Sequence, residues 1–384
     1  MRGLRWGRGG VDADAVRGLY RQLEDWRGDV LLMAPTRAEF EASAARIDGE
    51  LAGVDVVLRT SGSTDGTGRL VGLSRAALTA SARATIDRLG GVGRGVGGQW
   101  VTSLPVHAVA GFQVVLRSVL AGHEPVVCPE LRAAPLAAAV ARLTPGVPHH
   151  LSLVPTQLHR LLAEAPDLVA GFDAVLVGGA ALAPDLADRA RRAGVRVVTT
   201  YGMTETSGGC VYDGVPLPGV QVRTEGGRVH IAGPVLATGY LDAGDRSTSS
   251  AAPFRTDAEG VRWLVTGDRG SWDGERLVVR GRADDVIISG GVNVDPHVVE
   301  TALARAGGAW VVVGVPDAEW GQRVVAVTTG DADLARARAA TAHLAPAERP
   351  KAVLRTDAWP LRPSGKVDTR AVRAWAQQAE RARA

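Results

Sequence analysis

From about residue 28 to 210, short apolar, β-branched runs alternate with Ala-, Leu- and Arg-rich stretches whose apolar positions recur at helical spacing. The first cycle is DVLLMAP, then TRAEFEASAARIDGEL, then VDVVLRT. That alternation predicts the strands and crossover helices of an α/β domain. After Tyr201 the texture changes to short strands and glycine-rich turns (GVQVRTEGGRVHIAG, GVRWLVTGD, GERLVVRG), which predict an antiparallel or barrel-like subdomain. A second change follows Arg280. From there a turn, a helix (PHVVETALARAGG), the strands AWVVVGV and QRVVAVTTG, another helix and a final extended stretch predict a small α+β unit. The expected organisation is α/β: a large N-terminal domain of mixed sheets with packed helices and a β-rich subdomain over residues 1–280, and a small C-terminal domain over 281–384. No internal repeat is present.

Composition narrows the function classes. With 46% hydrophobic and 22% charged residues, the chain is globular in type, not disordered, collagen-like or coiled-coil. The 44 basic and 41 acidic residues leave a net charge of +3, and no dense basic block supplies a nucleic-acid or membrane surface locally. Cys128 and Cys210 are far apart, which argues against a disulfide framework or a cysteine zinc site and fits a reducing cytoplasm. The N-terminus lacks the apolar core of a signal peptide, and no uncharged apolar run approaches the roughly 20 residues that span a bilayer. A cytoplasmic location is expected. Lys351 and Lys366 are the only lysines in an arginine-rich chain, so each invites the question of what arginine could not do there.

Five stretches could carry chemistry. RTSGSTDGTGRLVGLS, residues 59 to 74, directly follows a predicted strand; its glycines let backbone N–H groups converge, and Thr60, Ser61, Ser63 and Thr64 add hydroxyls suited to phosphate oxygens. It contains no lysine and is not a Walker A loop. GRGVGG at 93 to 98 has the spacing of a dinucleotide-binding loop but follows a helix and leads into a strand, the reverse of the required context, and reads as a turn. The second stretch pairs VLVGGAAL with RVVTTYGMTETSGG, two strand ends that could share one crevice, with Glu205 able to hold magnesium on a polyphosphate. Alone, Glu205 would read as a solvated loop carboxylate. The third is LVTGDRG, whose Asp268 could accept hydrogen bonds from two ribose hydroxyls. VVRGRADDVIISGGVNVDPHVVE and PLRPSGKVDTRAV complete the set.

In this order and at these distances the five resemble the motifs of the adenylate-forming superfamily of acyl-CoA synthetases, adenylation domains and luciferases, from about residue 55 to 370. That resemblance implies the adenylate-forming fold, with a mobile C-terminal domain that swings between two half-reactions, and ATP, magnesium and coenzyme A as reactants. Carried over by residue, Thr60, Ser61, Gly62, Ser63, Thr64 and Arg69 would serve the phosphates. Gly178, Gly179 and Ala180 with Tyr201 would bracket adenine, and Gly202 and Met203 would also meet the nucleotide. Thr204 would meet the α-phosphate, Glu205 the magnesium ion, and Asp268 and Arg282 the ribose. Asp284 matches the hinge, and Ser289, Gly290 and Gly291 would line the thiol tunnel. Lys366 would be the catalytic cation. The phosphate loop departs from the family's form: Asp65 is inserted, and Gly68-Arg69 replace a Pro-Lys pair.

The stretch ahead of Thr60 is short for that superfamily. With SLPVHAVAGFQVVLRSVLAG it is similar to the compact o-succinylbenzoate:CoA ligases of menaquinone biosynthesis found in actinobacteria. This narrower likeness implies acid-binding roles for His107, Gly202 and Arg117, with Arg117 meeting the second carboxylate of o-succinylbenzoate. A core histidine and a surface arginine are the competing expectations. Other functions compatible with the residues are a different aryl- or acyl-CoA ligase, an enzyme adenylating an acid for a separate carrier protein, and a catalytically silent nucleotide-binding protein. The expected partners are small molecules, with a homo-oligomer also compatible.

Overall fold

The structure, a computed structural model, describes residues 3–48, 50–60, 68–91, 97–242, 253–331, 333–362 and 366–382. Four β-sheets organise them. In the first, Leu4–Arg8, Val30–Ala34 and Val56–Arg59 run parallel, and Leu70–Leu73 returns antiparallel with Gly239–Tyr240 at its edge. The second holds seven strands. Val126–Val127, Gln99–Thr102, His149–Leu153, Ala174–Gly178 and Val197–Met203 pair in parallel, and Gly208–Tyr212 and Val215–Pro216 close the other end antiparallel. Val30–Ala34 is buried at every position, as a strand covered on both faces must be, which is why its sequence is continuously apolar instead of alternating.

The helix Val109–Ala121 fixes the interior. Residues from Gly111 to Ser118 are all buried, because the helix packs on Ala13–Glu24 and Arg75–Ile86 and contributes Phe112, Val115 and Leu116 to the core shared with the first sheet. Its neighbours start cleanly: Asp12 accepts the Ala15 N–H and Ser74 the Ala77 N–H.

The change of texture after Tyr201 corresponds to an antiparallel sheet of Gln221–Glu225, Arg228–Ala232, Arg262–Trp272 and Phe254–Thr256, with Leu277–Arg282 also on Arg262–Trp272. The fourth sheet orders Val292–Val294, Ile287–Ser289, Gly321–Thr328 and Trp310–Asp317, with Ala352–Arg355 parallel to Gly321–Thr328, and has its own core around Val312, Val324 and Leu303. Among the described residues no helix is long and apolar enough to cross a membrane.

Candidate active site

A cavity of about 2070 Å³ is lined by Thr60, Arg69, His107, Arg117, Gly178 to Ala180, Tyr201 to Glu205, Asp268, Arg282, Asp284 and Lys366. Most of the candidates therefore share one space. Ser61, Gly62, Ser63 and Thr64, and the inserted Asp65, lie outside the described residues. The neck of their loop is defined: the Thr60 N–H donates to the Arg69 carbonyl at 2.9 Å, and the Arg69 N–H to Thr60 Oγ1 at 2.8 Å. Gly68 has φ +65°, and a Cβ there would press on the Thr60 carbonyl. Proline, locked near −65°, could not take this position, so the Gly68-Arg69 departure is built into the neck. Arg69 is committed locally: Nε lies 3.1 Å from Asp242 and the guanidinium carbon 3.9 Å from the centroid of the Tyr240 ring.

Glu205 lies in the single 3₁₀ turn Thr204–Thr206 that ends the strand Val197–Met203. Thr206 Oγ1 accepts the Met203 N–H at 2.9 Å and closes that turn. The Glu205 side chain is buried and not a solvated loop carboxylate; it accepts a hydrogen bond from the Tyr240 hydroxyl at 2.6 Å. Among the described residues no group of three or more His, Cys, Asp or Glu is placed to hold a metal ion. A lone cavity carboxylate still fits magnesium, which habitually takes one or two carboxylates and completes its shell with phosphates and water.

Gly178 and Gly179 end the strand Ala174–Gly178. Tyr201, expected only to flank a ring, also donates its hydroxyl to Asp268 Oδ2 at 2.7 Å. Burial and the Asp268 charge hold this phenol well above its ordinary range, so it remains a donor. Asp268 sits opposite Arg282 across the pair Arg262–Trp272 and Leu277–Arg282. Burial pushes its carboxyl up, opposed by the Tyr201 hydrogen bond and the Arg282 charge. Arg282 in turn grips Asp284 with two hydrogen bonds of 2.8 and 3.0 Å.

Lys366 reaches across from the C-terminal part of the chain to Gly179. A Cβ on Gly179 would stand 2.5 Å from Lys366 Cε and 3.0 Å from Nζ, and Gly179 has φ +81°, so glycine is required there twice over. Burial, with Arg362 nearby, lowers the Lys366 ammonium below its ordinary range. Ser289, Gly290 and Gly291 do not line the cavity. They form the tip of the hairpin Ile287–Ser289 and Val292–Val294, where Gly290 and Gly291 take the left-handed values +59° and +79° of a two-residue turn.

Arg117, also on the cavity wall, is 4% exposed and has no acidic partner among the described residues. A surface arginine is thereby excluded. Its guanidinium carbon lies 5.2 Å from the Trp100 ring, and Trp100 packs on His150 with centroids 4.9 Å apart. Burial pushes His150 down to about 4, with the Arg117 charge contributing, so His150 is neutral near pH 7 and leaves Arg117 as the local cation. His107 also lines the cavity, with Nδ1 buried and without a hydrogen-bond partner, and Gly9 is packed directly on its ring. Burial lowers its pKa, helped by Arg59. Trp100, Gly9 and Tyr240 were not singled out from sequence, since each acts through a partner distant in the chain. Arg117 carried a signal: Val114, Val115, Leu116, Val119 and Leu120 surround it, and the other polar side chains of that helix are Gln113 and Ser118 alone.

Residues 54–241 match the family model described as AMP-binding enzyme. Over 315 residues, 78% of each chain, the protein is 43% identical to a probable 2-succinylbenzoate--CoA ligase of Mycobacterium tuberculosis. The chain belongs to the AMP-binding enzyme family. A second relative, the 2-succinylbenzoate--CoA ligase of Escherichia coli K12, is 34% identical over 242 residues, 60% of this chain and 50% of the relative. A solved E. coli MenE variant with bound OSB-AMS superposes with a TM-score of 0.77 at 25% identity, covering 98% of this chain and 88% of that one. Membership of the AMP-binding family agrees with the four-sheet architecture and with the order of the five motifs.

Proposed function

We propose that the protein joins o-succinylbenzoate to coenzyme A with ATP, through an acyl-adenylate, as an AMP-forming acid–thiol ligase of menaquinone biosynthesis. Arg117 is the observation that carries the substrate. A buried guanidinium without a carboxylate partner is costly, and a second substrate carboxylate offsets that cost while an acid without one leaves it standing. The names of the 2-succinylbenzoate--CoA ligase relatives point the same way.

A carboxylate is a poor acylating group because its leaving group would be oxide. In the first half-reaction a carboxylate oxygen of the acid attacks the α-phosphorus of ATP, the bond to the β-phosphate bridging oxygen breaks, and pyrophosphate leaves. Two anions meet in that step, so positive charge must stand where they converge. Lys366 supplies it at the Gly179 loop, as a compact ammonium able to contact both groups, unlike a wider, planar guanidinium. Asp268, with Tyr201 donating to it, and Arg282 hold the ribose, and Gly178 to Ala180 give the adenine a close backbone wall. Thr60 and the loop it opens hold the phosphates. A magnesium ion held by Glu205 and the nucleotide phosphates would neutralise charge on the departing pyrophosphate. His107 and Gly202 shape the acid end. In the second half-reaction the thiol of coenzyme A attacks the carbonyl carbon and AMP leaves. Lys366 occupies the approach, so residues 281–384 turn about Asp284 and bring Ser289, Gly290 and Gly291 to the thiol.

The test is a thioesterification assay with o-succinylbenzoate, benzoate and medium-chain fatty acids. Use of o-succinylbenzoate alone is expected; preference for either of the others contradicts the substrate assignment.

A further inference from the structure

Tyr240 has no role in the mechanism above, yet it touches both sides of the phosphate-binding face. It lies on the short edge strand Gly239–Tyr240, paired antiparallel with Leu70–Leu73 so that Tyr240 faces Val71. Its hydroxyl donates to Glu205 Oε1 at 2.6 Å. Its ring carries the Arg69 guanidinium at 3.9 Å. Asp242, two residues on, accepts from Arg69 Nε at 3.1 Å, from Arg46 at 2.7 Å and from the Leu70 N–H at 3.1 Å. The Glu205 carbonyl accepts the Ala237 N–H at 2.8 Å, so backbone and side chain of Glu205 are both tied to the segment that carries Tyr240.

A carboxylate offers about four lone-pair positions. A phenol on one oxygen restrains the rotation of the group and leaves the other oxygen for an outside cation. Partners of this kind orient a metal ligand, and their loss typically lowers metal affinity 10- to 100-fold.

We propose that Tyr240 is a positioning residue for the divalent cation: it orients the Glu205 carboxylate and, through the Arg69 guanidinium stacked on its ring, couples that orientation to the neck of the phosphate loop. The proposal rests on Glu205 as the metal ligand. Phenylalanine at 240 keeps the ring under Arg69 and removes only the hydroxyl.

The experiment is calorimetric titration of ATP into the full chain over a series of Mg²⁺ concentrations, without acid so that no turnover occurs, for the wild type, Tyr240→Phe and Glu205→Gln. Thermal melting and the KM for the acid are measured alongside. Tyr240→Phe is expected to raise the Mg²⁺ concentration for half-maximal metal-dependent binding by about 10-fold or more. Metal-free ATP binding and the KM for the acid should stay as in the wild type, and melting should fall by no more than the loss of one buried hydrogen bond. A normal Mg²⁺ requirement in Tyr240→Phe with a raised one in Glu205→Gln overturns the role of Tyr240 alone. A normal requirement in both variants removes Glu205 as the ligand as well. A parallel fall in melting temperature and metal-free binding in Tyr240→Phe shows a purely structural tyrosine and also overturns the proposal.

Discussion

Arg117 and Lys366 are two cations that the fold buries for opposite reasons. Arg117 stands without an acidic partner among the described residues, against Trp100 and a histidine held neutral. Replacing a buried charge with an apolar group of similar length removes a desolvation penalty and often stabilises by about 1–4 kcal/mol. Arg117→Met should therefore raise the melting temperature of the ligand-free protein while lowering kcat/KM for o-succinylbenzoate by roughly 10²-fold, the loss of one charge-assisted contact. Lower stability together with unchanged selectivity over benzoate would remove Arg117 from the acid site. Lys366 is lowered by burial, so in the free enzyme it loses its proton at a lower pH than an exposed lysine. With the charged form acting as proposed, the alkaline limb of kcat/KM for adenylation should fall below the ordinary lysine range of about 10.4. A limb at or above that range would mean that another group limits the rate. The place of Lys366 on the cavity wall was legible from its motif and from the scarcity of lysine. Arg117 was legible only in part, because side-chain burial depends on both sheets closing over the helix Val109–Ala121.

At the scale of elements, the strand and helix alternation before residue 210 and the hairpin texture after it were readable because the apolar period changes from helical spacing to short strands between glycines. Strand order was not readable, since neighbours in the sheets are remote in sequence: Gly239–Tyr240 completes the sheet begun by Leu4–Arg8. That long-range pairing places Tyr240 beside Glu205, and no local pattern signals it. The phosphate-loop neck shows the same limit. Its Gly68-Arg69 pair looked like a loss of the family's Pro-Lys, whereas the positive φ of Gly68 and the commitment of Arg69 to Asp242 and Tyr240 make it a different closed turn. Restoring proline with Gly68→Pro should destabilise the protein by more than about 1 kcal/mol, read by urea unfolding, and weaken ATP binding. A neutral or stabilising result would show that the neck relaxes into the family's usual form.

For the molecule as a whole, Lys366 lies on Gly179 while the hairpin tip Ser289 to Gly291 stays off the cavity. The reaction proposed above calls for a second arrangement of residues 281–384 in thioester formation. Both native cysteines are buried, and Cys210 is pushed up to about 12 by that burial, so introduced thiols take spin labels selectively. Labels on Arg192→Cys and Ile288→Cys should give one distance in the enzyme loaded with acyl-adenylate analogue and a second population once coenzyme A is added. A single unchanged distance would count against Asp284 as a hinge. The most direct measurement of the central claim separates the two half-reactions in Lys366→Ala. The account predicts a loss of about 10²- to 10³-fold or more in acid-dependent exchange of labelled pyrophosphate into ATP, with thioester formation from supplied acyl-adenylate retained. Equal loss of both half-reactions, or unimpaired exchange, would contradict it.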